Sequence, residues 1–153
     1  MNNYEGRIEE LGIKIPEPPE PVGSYIPARK AGDLIFCSGQ GPKKGDKFVH
    51  LGKVGSDLTV EEGYEAARVS ALNCLAEIKT EIGSLNKIDK IVKVRGFVSS
   101  AAGFGGQPSV VNGASELLIE IFGDSGKHAR AALGTSELPG NIPIEVEMIA
   151  SIG

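Results

Sequence analysis

The sequence predicts an α+β layer in the element order β-β-α-β-α-β-β: one sheet with two helices on one face. Three observations carry this reading. Between residues 59 and 83 apolar side chains recur at steps of three and four, the period of a helix that buries one stripe. From Ile144 to Ile152 they alternate with more polar ones, the period of a strand with one buried face. Between such segments Gly and Pro supply turn chemistry that joins strands as hairpins, and hairpins with helices gathered on one side make an α+β arrangement.

The elements follow in order. Residues 1–15 read as a short helix, with Tyr4, Ile8 and Leu11 at i, i+4 and i+7. The Pro-rich run Pro16-Glu-Pro-Pro-Glu-Pro21 then forces an extended connector, which would lay that helix over the main body. Residues 34–38 form the first predicted strand, and residues 48–54 return as the second across the turn Lys43-Lys-Gly-Asp46. Thr59-Val-Glu-Glu62 is a capping box that opens the strongest helix. Its stripe of Val60, Tyr64, Ala67, Ala71, Cys74/Leu75, Ile78 and Ile82 packs on a sheet, and it ends near Gly83.

Residues 87–100 are the next strand. Val92, Val94, Gly96 and Val98 make its apolar face, with Gly96 leaving a gap for the helix layer; Ile91, Lys93, Arg95 and Phe97 make the other. A Gly-rich loop over 101–107 leads to Pro108 in the first turn of a second helix. That helix buries Val111, Ala114, Leu117/Leu118 and Ile121/Phe122 and is capped by Gly123. Residues 129–136 and 142–152 close the chain as two strands. The uncovered face of the sheet carries Ile, Phe and Val beside charge, which predicts contact with another subunit.

Composition removes several function classes. A chain of 153 residues fits one domain. Its 21 Gly have no three-residue period, which excludes collagen, and a 41% hydrophobic content with net charge −4 is that of a folded chain. Three Tyr, five Phe and no Trp weaken any site built on aromatic stacking. A pI near 5.3 argues against a nucleic-acid-gripping surface. Cys37 and Cys74 form no CxxC and sit in apolar stretches, so both are expected as reduced, buried, structural thiols. No charged-then-apolar leader opens the chain and no apolar run approaches the ~18–20 residues of a membrane span, so the expectation is a soluble cytoplasmic protein with no membrane partner.

Familiar catalytic motifs fail. Gly103-Phe-Gly-Gly-Gln-Pro108 has Pro where a dinucleotide fingerprint needs Gly, and Gly123-Asp-Ser-Gly-Lys-His128 lacks phosphate-loop spacing. His50 and His128 have no HxxxH or HExxH partner, so no metal site is expected, and no GxSxG is present. Chemistry therefore falls to Arg, Glu, Tyr and backbone groups. Arg130, flanked by Ala129 and Ala131 beside the bare sheet face, can offer its planar fork to a carboxylate, or serve a structural ion pair. Glu145 and Glu147 share one strand face; Glu145 can orient a water and Glu147 can pair with Lys93 or Arg95, or both can be solvated. Tyr25 can cover a pocket or merely pack. Gly39 can bring backbone to a ligand or simply turn the chain.

Together these residues resemble the Rid (reactive intermediate deaminase) family, also called YjgF-like or endoribonuclease L-PSP-like. The resemblance runs from about Val22 to Ile152. It is carried by Gly-Ser-Tyr25, Leu34-Ile-Phe-Cys-Ser-Gly-Gln40, Ala129-Arg130, Leu138-Pro139 and Ile144-Glu-Val-Glu-Met-Ile-Ala150, in that order. Residues 1–21, a helix and Pro-rich connector, are an N-terminal extension to a single Rid-like domain with its core at 22–153. The resemblance implies a chorismate-mutase-like homotrimer with clefts between subunits. Deaminating members hydrolyse 2-imino or 2-enamino acids to 2-oxo acids and ammonia without metal or cofactor, as in 2-iminobutanoate/2-iminopropanoate deaminase.

By the same resemblance Arg130 binds the substrate carboxylate, Glu145 positions water, Tyr25 lines the cleft, Gly39 contacts substrate through its backbone, and Asn112 sits at the cleft. Ala132 stands where deaminating members often have a cysteine that acts through its backbone carbonyl. The Gly103–Gly106 cluster is expected as a long flexible loop near that cleft. The alternative is a non-catalytic binder of small carboxylate metabolites with a regulatory role; an endoribonuclease fits the acidic pI and missing His pair less well.

Overall fold

The computed structural model describes residues 2–153. Helix α1 (Tyr4–Glu10) precedes strands β1 (Ala28–Ala31), β2 (Leu34–Gln40), β3 (Lys43–Lys44) and β4 (Lys47–Phe48). Then come α2 (Val60–Ile82), β5 (Ile88–Ser99), α3 (Gln107–Phe122), β6 (Ala129–Thr135) and β7 (Ile144–Ile152). The main sheet runs β1-β2-β7-β5-β6, antiparallel except for the parallel β5–β6 pair.

Both long helices form for the reasons their sequences state. Thr59 accepts from the Glu62 amide while Glu62 reaches back to the Thr59 amide, and Gly83 receives the chain at the other end. Pro108 lies in the first turn of α3 and Gly123 caps its end. The apolar stripes of α2 and α3 meet Ile144, Val146, Met148 and Ala150 of β7 and Val94 and Val98 of β5 in one core. The helices cross closely because Gly113 presents no side chain: a Cβ there would lie 2.0 Å from the Tyr64 carbonyl oxygen. Gly96 does the same for the sheet, with Val111 in the space a Cβ would need.

The N-terminal helix is shorter than residues 1–15. Asn3 caps its start by accepting from the Gly6 amide, and Gly12 at φ +69° lies just past its end; Met1 lies outside the described residues. Tyr4 meets Phe122 edge-on with ring centroids 4.6 Å apart, so the helix does lie against the body of the protein, on α3.

The predicted strand over 48–54 is not there. Gly52 and Gly55 adopt φ of +120° and +103°, and the amides of Gly52 and Val54 donate to Asn141 and Ser99 rather than to a hairpin partner. The Lys43–Asp46 turn joins only the two-residue strands β3 and β4. The hairpin partner of β2 is β1, joined through Gly32 at φ +59°. Element order is therefore as expected, with a different first strand.

One face assignment is also corrected. Ile91 is buried and Val92 is exposed, the reverse of the simple alternation. The β5–β7 register shifts between Ile88 and Lys90 and between Ile91 and Lys93, and each irregularity turns the following side chain to the other face.

The candidate site forms two half-sites

Glu145 stands on the uncovered face of β7, between the buried Ile144 and Val146. Opposite it, β2 carries a bulge: Cys37 pairs with Met148 but Gln40 pairs with Val146, so three steps on β2 meet two on β7. Gly39 lies in this bulge and gives the glutamate its room. A Cβ on Gly39 would come within 2.8 Å of Glu145 Cδ. Ser38 holds the preceding segment against β2, its amide donating to the Pro27 carbonyl at 2.7 Å and its hydroxyl to the Ile26 carbonyl at 2.9 Å. This places Tyr25 beside Gly39 and Glu145 on a cleft of about 270 Å³, whose walls also include Lys43, Pro139 and Ile142. The Tyr25 hydroxyl accepts from the Val22 amide at 3.3 Å.

The Glu145 carboxylate has no ion-pair or hydrogen-bond partner among the described residues. Burial, and secondarily the charge of Glu147, pushes its pKa up. Glu147 is committed elsewhere, to Arg95 at 2.8 Å, the second of its two expected partners.

Arg130 sits near the start of the edge strand β6. It is opposite Val94, whose side chain is in the core, so Arg130 faces the helix layer and not the bare face expected from the sequence. Its Nη1 donates to Asn112 Oδ1 at 2.7 Å and to Ser115 Oγ at 3.2 Å, both on α3. No carboxylate lies within ion-pair distance among the described residues. With both Nη1 protons taken, the free edge is Nε with Nη2, a geometry that matches the two oxygens of a carboxylate. Ala132, two residues on, packs against the core on the same side.

The six residues thus fall into two groups. Tyr25, Gly39 and Glu145 share one cleft; Asn112, Arg130 and Ala132 share one edge. Glu145 is level with Phe97, Phe97 with Leu133, and Arg130 is three residues before Leu133. Two strand spacings and three residues of rise separate the two positions by about 14 Å, on opposite faces. A small 2-imino acid does not span that gap within one chain. Elsewhere on the uncovered face there is a groove of about 370 Å³ lined by Arg29, Phe36, Lys93, Arg95, Glu147 and Ile149, among others. Phe36 and Leu133 are 41% and 47% exposed on the uncovered face, an apolar surface of the kind that meets a partner.

Ser115 and His128 were not legible as site residues. The signal was present: Asn112 and Ser115 are i, i+3 on one predicted helix, and His128 is two residues before Arg130. The Gly-rich loop is tied to the body of the protein. Phe104 packs against the core and over Gly55 and Gly106, and Gln107 Nε2 ties back to the Phe104 carbonyl at 2.8 Å. Cys37 and Cys74 are free and buried as expected; burial drives the Cys74 thiol well up. Among the described residues no three His, Cys, Asp or Glu side chains gather as a metal site, and no helix is long and apolar enough to cross a membrane.

Comparison with known proteins places the fold. Residues 5–152 match the family described as "YjgF/chorismate_mutase-like, putative endoribonuclease". The chain is 36% identical to Protein TCP17 of Trypanosoma cruzi over 95% of its length and 91% of that protein's. It is 27% identical to a 2-iminobutanoate/2-iminopropanoate deaminase of Dermatophagoides farinae, over 92% and 94%. The crystal structure of a "putative endoribonuclease" from Shewanella oneidensis MR-1 superimposes with a TM-score of 0.95 at 34% identity, covering 99% of this chain and all of that one. Fold, motif order and these matches agree, and the chain belongs to the YjgF/Rid family, with its chorismate-mutase-like α+β fold.

Proposed function

We propose that this protein hydrolyses reactive 2-imino and 2-enamino acids to 2-oxo acids and ammonia in clefts between the subunits of a homotrimer. The observation that carries the reading is the unpaired Nε/Nη2 edge of Arg130, held open by Asn112 and Ser115. Such an edge binds a substrate carboxylate bidentately and sets its register. The Tyr25–Gly39–Glu145 group of a neighbouring copy then closes the other side, which resolves the separation of the two groups within one chain.

The chemistry is modest because an iminium carbon is already electrophilic. Holding water and carbon in contact supplies much of the rate. Glu145 accepts a proton from the attacking water as the new C–O bond forms. Glu145 returns that proton to the carbinolamine nitrogen, the C–N bond breaks as the hydroxyl oxygen's lone pair forms the C=O bond, and the hydroxyl proton leaves with the departing ammonia as ammonium, with a 2-oxo acid behind. Burial, which raises the basicity of Glu145, suits it to this role. No step calls for a metal or cofactor. The cytoplasm is the proposed location.

The test couples purified protein to a pyridoxal-phosphate-dependent threonine dehydratase and follows imine decay. Acceleration over buffer that is lost in Arg130→Ala supports the reading; none, or full activity in that variant, overturns it. A second reading, a carboxylate-metabolite binder, is favoured by one feature: Pro19 and Glu20 of the N-terminal extension join the wall of the Glu145 cleft. Thermal stabilisation by 2-oxo acids without turnover would select it.

A further inference from the structure

His128 belongs to no part of the mechanism above, yet it ends a directed chain of hydrogen bonds that starts at Arg130. Its Nδ1 lies 2.6 Å from the Gly126 carbonyl oxygen, which only accepts, so Nδ1 carries a proton. Nε2 lies 2.9 Å from Ser115 Oγ. Burial lowers the pKa of the imidazole below its ordinary value, and Arg130 adds to this against the opposing pull of the Gly126 bond, so the neutral ring is favoured at pH 7 and Nε2 is an acceptor. Ser115 must then donate to it. That turns the Ser115 lone pairs toward Arg130 Nη1 at 3.2 Å, next to the Asn112 oxygen at 2.7 Å.

We propose that Ser115 and His128 are positioning residues for the ligand-binding arginine: the imidazole, acting through the Ser115 hydroxyl, fixes the roll of the Arg130 guanidinium so that its Nε/Nη2 edge alone is offered to the ligand carboxylate. This rests on the reading of Arg130 as the carboxylate anchor. Asn112 alone would leave the second Nη1 proton free and the guanidinium able to turn about one contact. A hydroxyl alone can also rotate to donate elsewhere; the imidazole acceptor removes that freedom. Arg130 is the charged group that acts on the ring; the carboxylates near Ser115 and His128 in sequence have their own partners, with Asp124 paired to Lys127 at 2.8 Å, Glu116 accepting from the Tyr64 hydroxyl, and Glu120 paired to Arg68 at 3.2 Å.

Four variants test the chain of contacts: His128→Leu, His128→Gln, Ser115→Ala and the double His128→Leu/Ser115→Ala. Removing the acceptor should raise KM for the imino acid and Kd for a 2-oxo acid about tenfold with kcat changed less than about twofold, the effect of one hydrogen bond on ligand binding. His128→Gln, whose Oε1 can replace Nε2 as acceptor, should restore both. The double variant should be no worse than Ser115→Ala. A readout that needs no ligand accompanies these: the His128 ring nitrogens and the Arg130 Nε–H, followed by 15N NMR of the wild-type protein and each variant near pH 7.5. Nε2 should be unprotonated, and the Arg130 signal should move in His128→Leu and return in His128→Gln. A protonated Nε2, an unmoved Arg130 signal, or additive losses in the double variant would overturn the proposal. A wild-type protein that shows these signals but neither binds 2-oxo acids nor hydrolyses imines would instead overturn the functional reading.

Discussion

The two half-sites are built in opposite ways. At the β6 edge Arg130 is held by two side chains of its own chain, and His128 and the Gly126 carbonyl hold one of those in turn. In the β2–β7 cleft Glu145 touches no polar partner and stands on a bare sheet face beside a glycine that leaves space next to it. The first region orients a charge; the second keeps a base unneutralised and half-dry. In the proposed reading the difference teaches that each region supplies what the other lacks. A fixed cation with an empty edge needs an anion, and a carboxylate with a raised pKa needs a proton to take. In the proposed trimer each region completes the other from a separate copy.

The sharpest way to break the comparison is to remove the fixed charge. Arg130→Ala should lower kcat/KM for imino acids about a thousandfold and weaken 2-oxo acid binding about a hundredfold, read by steady-state kinetics and calorimetry, because it removes two charge-assisted hydrogen bonds. Glu145→Gln should do the complementary thing. It should cost about a hundredfold in kcat while the 2-oxo acid Kd stays within about threefold. The same variant reports on the unneutralised base. The folded state holds the Glu145 proton to higher pH than the unfolded chain, so stability is lost as pH rises through the raised pKa. Glu145→Gln should therefore melt higher than the parent at pH 7, and the gain should vanish below about pH 4, where both states of the parent are protonated. A smaller effect tests the space beside the base. Gly39→Ala should push the Glu145 carboxylate aside and cost about tenfold in kcat, with little change in Tm because the displaced atoms end a flexible side chain.

The parts of the fold legible in the sequence are those where local chemistry and burial agree. α2 announced itself through Thr59, Glu62 and Gly83, and β7 through nine alternating residues. β1 did not, because Ala28-Arg-Lys-Ala31 has no branched or aromatic residue and buries only Ala28. The false strand over 48–54 follows a turn and carries the apolar Phe48, Val49, Leu51 and Val54, but Gly52 is used at positive φ and the amides of Gly52 and Val54 donate to Asn141 and Ser99. Ile91 and Val92 exchange faces at register shifts that periodicity does not encode. Motif order named all six candidate site residues. It could not say that Arg130 and Glu145 occupy opposite faces, since that depends on which strands become neighbours. Helix spacing put Ser115 on the face of Asn112, but their contact with Arg130 and His128 forms only when α3 packs beside β6 and the turn before it.

The central claim is that one working site needs Arg130 from one copy and Glu145 from another. Arg130→Ala and Glu145→Gln subunits, each nearly inactive alone, can be unfolded together, refolded in equal amounts and assayed for imine hydrolysis. Random assembly of a closed ring places an intact arginine against an intact glutamate at about one interface in four. The account predicts recovery to about a quarter of the wild-type rate. A mixture no more active than its parents, with mixed oligomers demonstrably formed, would contradict it.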